Sequence, residues 1–174
     1  MPVPRPRRID SIPSASGGIA RLVCERLREH AIPLAPLLSK AGLNVEQIDN
    51  SSVRVEARSQ IRILDLAADA LLDDLLGFHL ARDYDLREVG LLYYVLASSD
   101  FMNDALQKAA RYGRINNEGV LLKFHANKDL ALKFEYTGVD RRMDSHHIEF
   151  WLASFVRLCR QLTNRRLIPS RLRV

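Results

Sequence analysis

Two spacings of apolar residues divide this chain. Up to about residue 115 they recur every three or four positions, between Val120 and Tyr136 every second position, and after Ser145 the wider spacing returns. The pattern predicts a first helix from about Gly18 to Ala31, with Ile19, Leu22, Val23 and Leu27 on one side. A short second helix is expected from Pro36 to Ala41, opened by proline and closed by Gly42. Asn44 to Ile48 reads as one capped turn. The clearest stripe, Ser59 to Leu76, sets Ile61, Leu64, Ala68, Leu71, Leu72 and Leu75 against Arg62, Asp65, Asp69 and Asp73, with Gly77 as its terminator. A short element, Phe78 to Arg82, and a charged loop, Asp83 to Glu88, lead to the apolar run Gly90–Ala97 and a helix over Asp104–Ile115. The break between these two, Ser98-Ser99-Asp100, is built like a helix N-terminus. Phe101 has no side-chain acceptor, so the cap is assigned to Ser99 or Asp100.

The alternating segment is a hairpin with one buried face. A two-residue loop would set Phe124 opposite Ala131 and Leu122 opposite Lys133. A three-residue loop, Asn127–Asp129, pairs Phe124 with Leu132 and Leu122 with Phe134, which keeps apolar partners together and is therefore predicted. Asp129 or Asn127 then takes the left-handed position. Gly138 ends the hairpin. A last helix, Ser145–Thr163, carries the stripe Ile148, Trp151, Leu152, Phe155, Cys159 and Leu162; beyond it Pro169 breaks the chain and Leu172-Arg173-Val174 reads as the start of a strand. Residues 1–16 hold Pro2, Pro4, Pro6 and Pro13 and are expected to be a flexible arm. The fold class that follows is α+β: a single domain over residues 17–174, mostly helical, with a small antiparallel hairpin sheet.

Composition narrows the class. At 174 residues the chain can bury a sizeable core. No apolar run reaches the ~20 residues of a membrane span, and the basic N-terminus lacks the apolar stretch of a signal peptide. Cys24 and Cys159, both on apolar helix stripes, read as free thiols in a reducing compartment, so a cytoplasmic protein is expected. The net charge of +5 points toward nucleic acid until its distribution is read. Nine arginines lie before Ile9 or from Arg157 onward, and neither stretch holds an acid. The interior keeps 17 basic residues against 21 acidic ones. A DNA-reading body shows the reverse. The turn at Ser98–Asp100 also lacks the glycine of a helix-turn-helix.

Catalytic signatures are missing: no dinucleotide or phosphate glycine loop, no nucleophile elbow and no paired-histidine zinc motif occurs. No catalytic residue, metal or cofactor is assigned. His146 and His147 are neighbours, about 100° apart on a helix, and do not readily share a metal; a composite site with His79 or His125 is the alternative. Asp65, Asp69, Asp73 and Asp74 read as a solvated face, and Ser98 and Ser99 as caps. The aromatics Tyr93, Tyr94, Tyr112, Phe124, Phe134, Tyr136, Trp151 and Phe155 come from four elements. Two arrangements fit them: a plain core, or a lined pocket in which tyrosine hydroxyls and Arg111 or Arg157 orient a small ligand.

Several landmarks occur in an order that resembles one family. Pro36-Leu37-Leu38 and Ala41-Gly42-Leu43 come first, then Gly77-Phe78-His79-Leu80-Ala81. Gly90-Leu91-Leu92, Tyr94, Ser98-Ser99, Ala105-Leu106 and Ala110-Arg111-Tyr112 follow, before the hairpin, the long helix and Pro169. Over residues 17–174 this resembles the N-terminal effector-binding domain, of the "arabinose-binding" type, of AraC-family transcriptional regulators. Asp100-Phe101 departs from the family's usual proline and threonine. The resemblance implies a small-molecule effector of unstated identity and a homodimer. It also implies promoter DNA contacted through a C-terminal helix-turn-helix domain absent from this chain, and a sensory domain continuing past residue 174. Its effector is expected between the hairpin's apolar face and the helices at Gly90–Tyr112 and Ser145–Thr163, with Tyr94, Arg111, Tyr112, Phe134, Tyr136 and Trp151 as lining residues. The alternative is a dimerisation or protein-interaction module with no ligand. The layout also bears a loose resemblance to haem-based gas sensors, but their Tyr-x-Ser-x-Arg propionate clamp does not occur here.

Overall fold

The computed structural model describes residues 12–126, 130–137 and 145–171. Its helices are α1 (Gly18–Glu29), α2 (Leu34–Ala41), α3 (Val45–Asp49), α4 (Ala57–Leu71), α5 (Leu76–Asp83), α6 (Leu91–Ala97), α7 (Met102–Tyr112) and α8 (Ser145–Thr163). Strands β1 (Ser14–Ala15) and β2 (Val55–Glu56) pair antiparallel, as do β3 (Val120–Ala126) and β4 (Leu130–Tyr136). The class is the expected one: one α+β domain, mostly helical.

The helix ends show where local chemistry overrides the stripe. α2 starts two residues early, after Pro33, and Pro36 sits in its first turn, where a missing N–H costs no bond. Gly42, at φ 75°, closes α2 by donating to the carbonyls of Leu38 and Ser39. Asn44 and Gln47 form a reciprocal capping box on α3. The helix predicted from Ser59 to Leu76 stops at Leu71, and the short element expected at Phe78–Arg82 is α5, which starts at Leu76. Leu72 turns left-handed, φ 52°, and its N–H returns to Ala68 and Asp69. Asp73 then accepts from Leu75 N (3.1 Å) and from His79 Nδ1 (2.8 Å), which fixes the new start. The apolar stripe ran on through Leu72 and Leu75, but both are exposed. Gly77, read as a terminator, lies inside α5. A Cβ there would collide with the His146 carbonyl and with Glu149, so it is a contact point between α5 and α8.

The break before α7 also differs. Its N-cap is Phe101, without a side-chain cap, and neither Ser99 nor Asp100 fills that role. Ser98 Oγ donates to the Val95 carbonyl (3.0 Å) and Ser99 Oγ to the same oxygen (3.5 Å), so the serines finish α6.

The hairpin has the predicted register: Phe124 faces Leu132, Leu122 faces Phe134 and Val120 faces Tyr136. The left-handed residue assigned to Asn127 or Asp129, the Gly138 end and the strand start at Leu172 lie outside the described residues. On the outer face Lys123 stands opposite Lys133, and Glu135 pairs with both amines, at 2.7 and 2.9 Å. At the other end, Ser14 and Ala15 belong to a strand, although the sequence placed them in the arm. Glu118 accepts from Ser14 N (2.9 Å) and Oγ (2.8 Å), and Arg54 donates to Ser14 Oγ (2.8 Å) and to the Ile115 carbonyl (2.9 Å). The rest of that arm, residues 1–11, lies outside the described residues.

Two apolar clusters form the interior. The first gathers α1 to α5 around Val23, Leu27, Ile63, Leu64 and Leu80, with Phe150 added from α8. The second holds Leu96, Leu106, Ala109, Val120, Leu122 and Phe155, from α6, α7, β3 and α8. Trp151 and Leu158, two turns apart on α8, pack against both. Cys24 lies in the first cluster and Cys159 against the second, both as free thiols. Burial pushes the Cys24 thiol up to about 11.

A candidate ligand-binding cavity between the two clusters

Where the two clusters meet, the packing leaves a space of about 600 Å³, mouth included. α8 supplies Trp151, Ser154, Phe155 and Leu158 to its wall. α6 supplies Leu92, Tyr93 and Leu96, α7 supplies Ala109, and β3 supplies Val120 and Leu122. The 3-10 turn at Leu86–Val89 closes one side, and Gly113 with Asn117 another. The sequence explains the opening. Ala109 and Gly113, one turn apart, present almost no side chain where larger residues would fill the seam. The wall is apolar apart from Asn117 and Ser154, a character suited to a small ligand's hydrocarbon body, while the Tyr93 hydroxyl accepts from Gln161 Nε2 (2.7 Å).

A buried polar chain orients the tryptophan. The indole Nε1 of Trp151 donates to His147 Nε2 (3.1 Å), one turn earlier on α8. That nitrogen therefore accepts, the imidazole carries its proton on Nδ1, and Nδ1 faces the Tyr136 hydroxyl at 2.8 Å. His147 is 0 % exposed, and burial drives it down to about 3, so it stays neutral across the physiological range. The Trp151 ring also meets Phe150 edge-on at 5.9 Å. Trp151 is thus fixed from three sides: the indole bond, the Phe150 edge and the cluster contacts.

The residues named from the sequence fall into two groups. Phe134, Tyr136 and Trp151 come together at the hairpin–α8 junction: Phe134 packs edge-on against Phe155 at 5.6 Å, and Tyr136 reaches Trp151 through His147. Of these, Trp151 lines the cavity. Tyr94, Arg111 and Tyr112 lie outside its wall and face solvent. Tyr94 leans edge-on against Tyr93 at 5.4 Å, and Arg111 stacks over the Tyr112 ring at 5.4 Å. Arg157, the other cation considered, donates to the carbonyls of Ala81 and Tyr84 (2.8 Å for the latter) and so caps the end of α5.

The lining residues named from the sequence leave out Tyr93, Asn117, His147 and Ser154, although Tyr93 stands among the aromatics of the lined-pocket arrangement and His147 among the histidines considered for a metal. Tyr93 and Tyr94 are adjacent, so their directions differ by about 100°. The apolar neighbours gave no reason to prefer one over the other. Ser154 did carry a signal, being a hydroxyl inside the apolar run of α8. So did the His147–Trp151 spacing of four. Among the described residues no group of three or more histidines, cysteines or carboxylates has metal-binding geometry, and no helix is long and apolar enough to cross a membrane.

Comparison with known proteins gives one family. The model described as the N-terminal arabinose-binding domain of AraC transcription regulators matches residues 32–174, most of the chain. No curated protein matches.

Proposed function

Because the chain belongs to the family of N-terminal arabinose-binding domains of AraC transcription regulators, we propose that it senses a small, largely apolar effector in the cavity beside Trp151. The family is one of regulatory ligand-binding domains and not of enzymes. The observation that carries the reading is the position of the cavity: it is walled by both clusters at once. A ligand there lies between the Leu86–Val89 turn, which belongs to the first cluster, and the α6–α7–hairpin layer, and any preference for one spacing of the two clusters shifts their equilibrium. In the full-length regulator that shift is passed to a C-terminal domain that reads promoter DNA.

The family's name does not make the effector a sugar here. A pentose would bury several hydroxyls against a wall with few partners, and each unpaired group costs about 1–3 kcal/mol. A body of hydrocarbon suits Leu92, Leu96, Val120, Leu122 and Phe155.

The test is a thermal-shift screen of small apolar metabolites on this chain and on Ala109→Phe, which fills the cavity. A ligand at about a hundred times its Kd adds roughly 2.7 kcal/mol, a shift of roughly 5–10 °C for a domain of this size. The shift is expected in the parent and absent from the variant. No shift with any compound, or an equal shift in Ala109→Phe, would sink the reading.

A second reading has an observation of its own. Leu91 and Tyr94, one turn apart on α6, are 78 % and 59 % exposed. They fit a protein contact, with homodimerisation as the first candidate. Sedimentation of the chain with and without a screened ligand separates the two: a dimer indifferent to every compound favours interaction alone.

A further inference from the structure

A second space of about 410 Å³, mouth included, adjoins the first and shares Val89, Asn117, Trp151 and Ser154 with it. Its character is different. Gln60, Tyr84, Asn116 and Ser16 contribute polar groups, and Glu88 stands exposed among its lining residues. Two of its side chains have unmet hydrogen-bonding capacity. Gln60, on α4, is 2 % exposed and Ser154, on α8, is 6 % exposed. Among the described residues Gln60 Oε1 and Ser154 Oγ have no hydrogen-bond partner. A buried polar atom left unpaired costs stability, and a core with no further role would place apolar side chains of the same size at both positions.

We propose that the effector is amphipathic: its apolar body lies against Leu96, Leu122 and Phe155, and an uncharged hydroxyl or amide end passes Trp151 to hydrogen-bond with Gln60 and Ser154. The inference rests on the cavity being the effector site. The uncharged end follows from the lining. No lysine or arginine is among the described lining residues of either space. Arg21 stands behind the second, its guanidinium donating to the Ser16 carbonyl (2.6 Å), so a carboxylate would have no cation in contact and would share the chamber with Glu88. An ammonium has the exposed Glu88 alone, where solvent screens the pair. Gln60 Oε1 accepts, and Ser154 Oγ both donates and accepts, so an alcohol or amide end can donate to the first and pair with the second in either direction.

Calorimetric titration of the 174-residue chain with toluene, 1-octanol, octanoate and octylamine tests this, alongside Gln60→Met and Ser154→Ala. Octanol is expected to bind tighter than octanoate and octylamine. Each variant is expected to weaken octanol roughly three- to tenfold, the span of one lost neutral hydrogen bond, while leaving toluene unchanged. The free variants are expected to melt at or above the parent temperature, since each loses an unpaired buried group. Tighter binding of octanoate or octylamine overturns the uncharged end. Octanol binding that the variants leave alone, or toluene binding that they weaken equally, overturns the roles of Gln60 and Ser154 and leaves the cavity reading intact. Failure of toluene and octanol alike to bind overturns both.

Discussion

The layer built on α1 to α5 and the layer built on α6, α7 and the hairpin bury their apolar residues to different depths. In the first, Val23, Leu27, Ile63, Leu64 and Leu80 are wholly inaccessible. In the second, Leu106, Leu122 and Phe155 keep 8–9 % of their surface, and Phe124, Leu132, Phe134 and Tyr136 are half-buried around them. The first is packed as a domain core is packed. The second is packed against an opening. A sensor needs both: a part that does not yield, and a part whose packing a ligand can complete.

The largest expected effect lies at the junction. His147 sits near 3 in the folded protein, against about 6.5 when unfolded. Between those values the unfolded chain binds the extra proton. Stability therefore falls as pH drops from 6.5 toward 3, by as much as ~5 kcal/mol for this group. Asp83, held near 2 by Arg82 and Arg26, adds loss in the acid part of that range. Urea unfolding of the parent and of His147→Gln at several pH values isolates the histidine. Equal slopes between pH 6.5 and 4 would refute the account.

Next come two truncations of the same chemistry in the two layers. Leu64→Ala is expected to cost about 3–4 kcal/mol and Leu122→Ala, which enlarges a space already present, about half that. Equal costs measured by denaturant midpoint would erase the distinction between the layers. The smallest effect is a gain. Leu72 is left-handed and 92 % exposed, so Leu72→Gly removes strain without removing packing. It should stabilise by about 1 kcal/mol, seen as a rise in Tm of roughly 2–4 °C.

Much of the fold was legible because its determinants are local or pairwise. Alternation in the hairpin, together with the pairing of Leu122 with Phe134, fixed the register before any coordinates. The capped turn at Asn44 was equally plain. The break at Leu72 was hidden because apolar residues continue through Leu75. What ended α4 was a polar side chain, Asp73, holding the next turn. The family, too, was recognisable from ordered landmarks. The site was harder to read, because a cavity is defined by what is small at Ala109 and Gly113 and by which of two adjacent tyrosines turns inward. Neither leaves a mark in the spacing of apolar residues. Gln60 is ordinary in sequence and Ser154 stands out only as a hydroxyl in an apolar run; burial without partners is what marks them.

Trp151 is the chain's single tryptophan, and it stands in the wall common to both spaces with its indole tied to a histidine that stays neutral. Its emission therefore belongs to one known place in the molecule. Occupancy of the cavity, dilution of the ligand and loosening of the seam can each be followed by exciting that ring, with no label attached. The residue that joins the two layers is also an optical gauge of how they are joined.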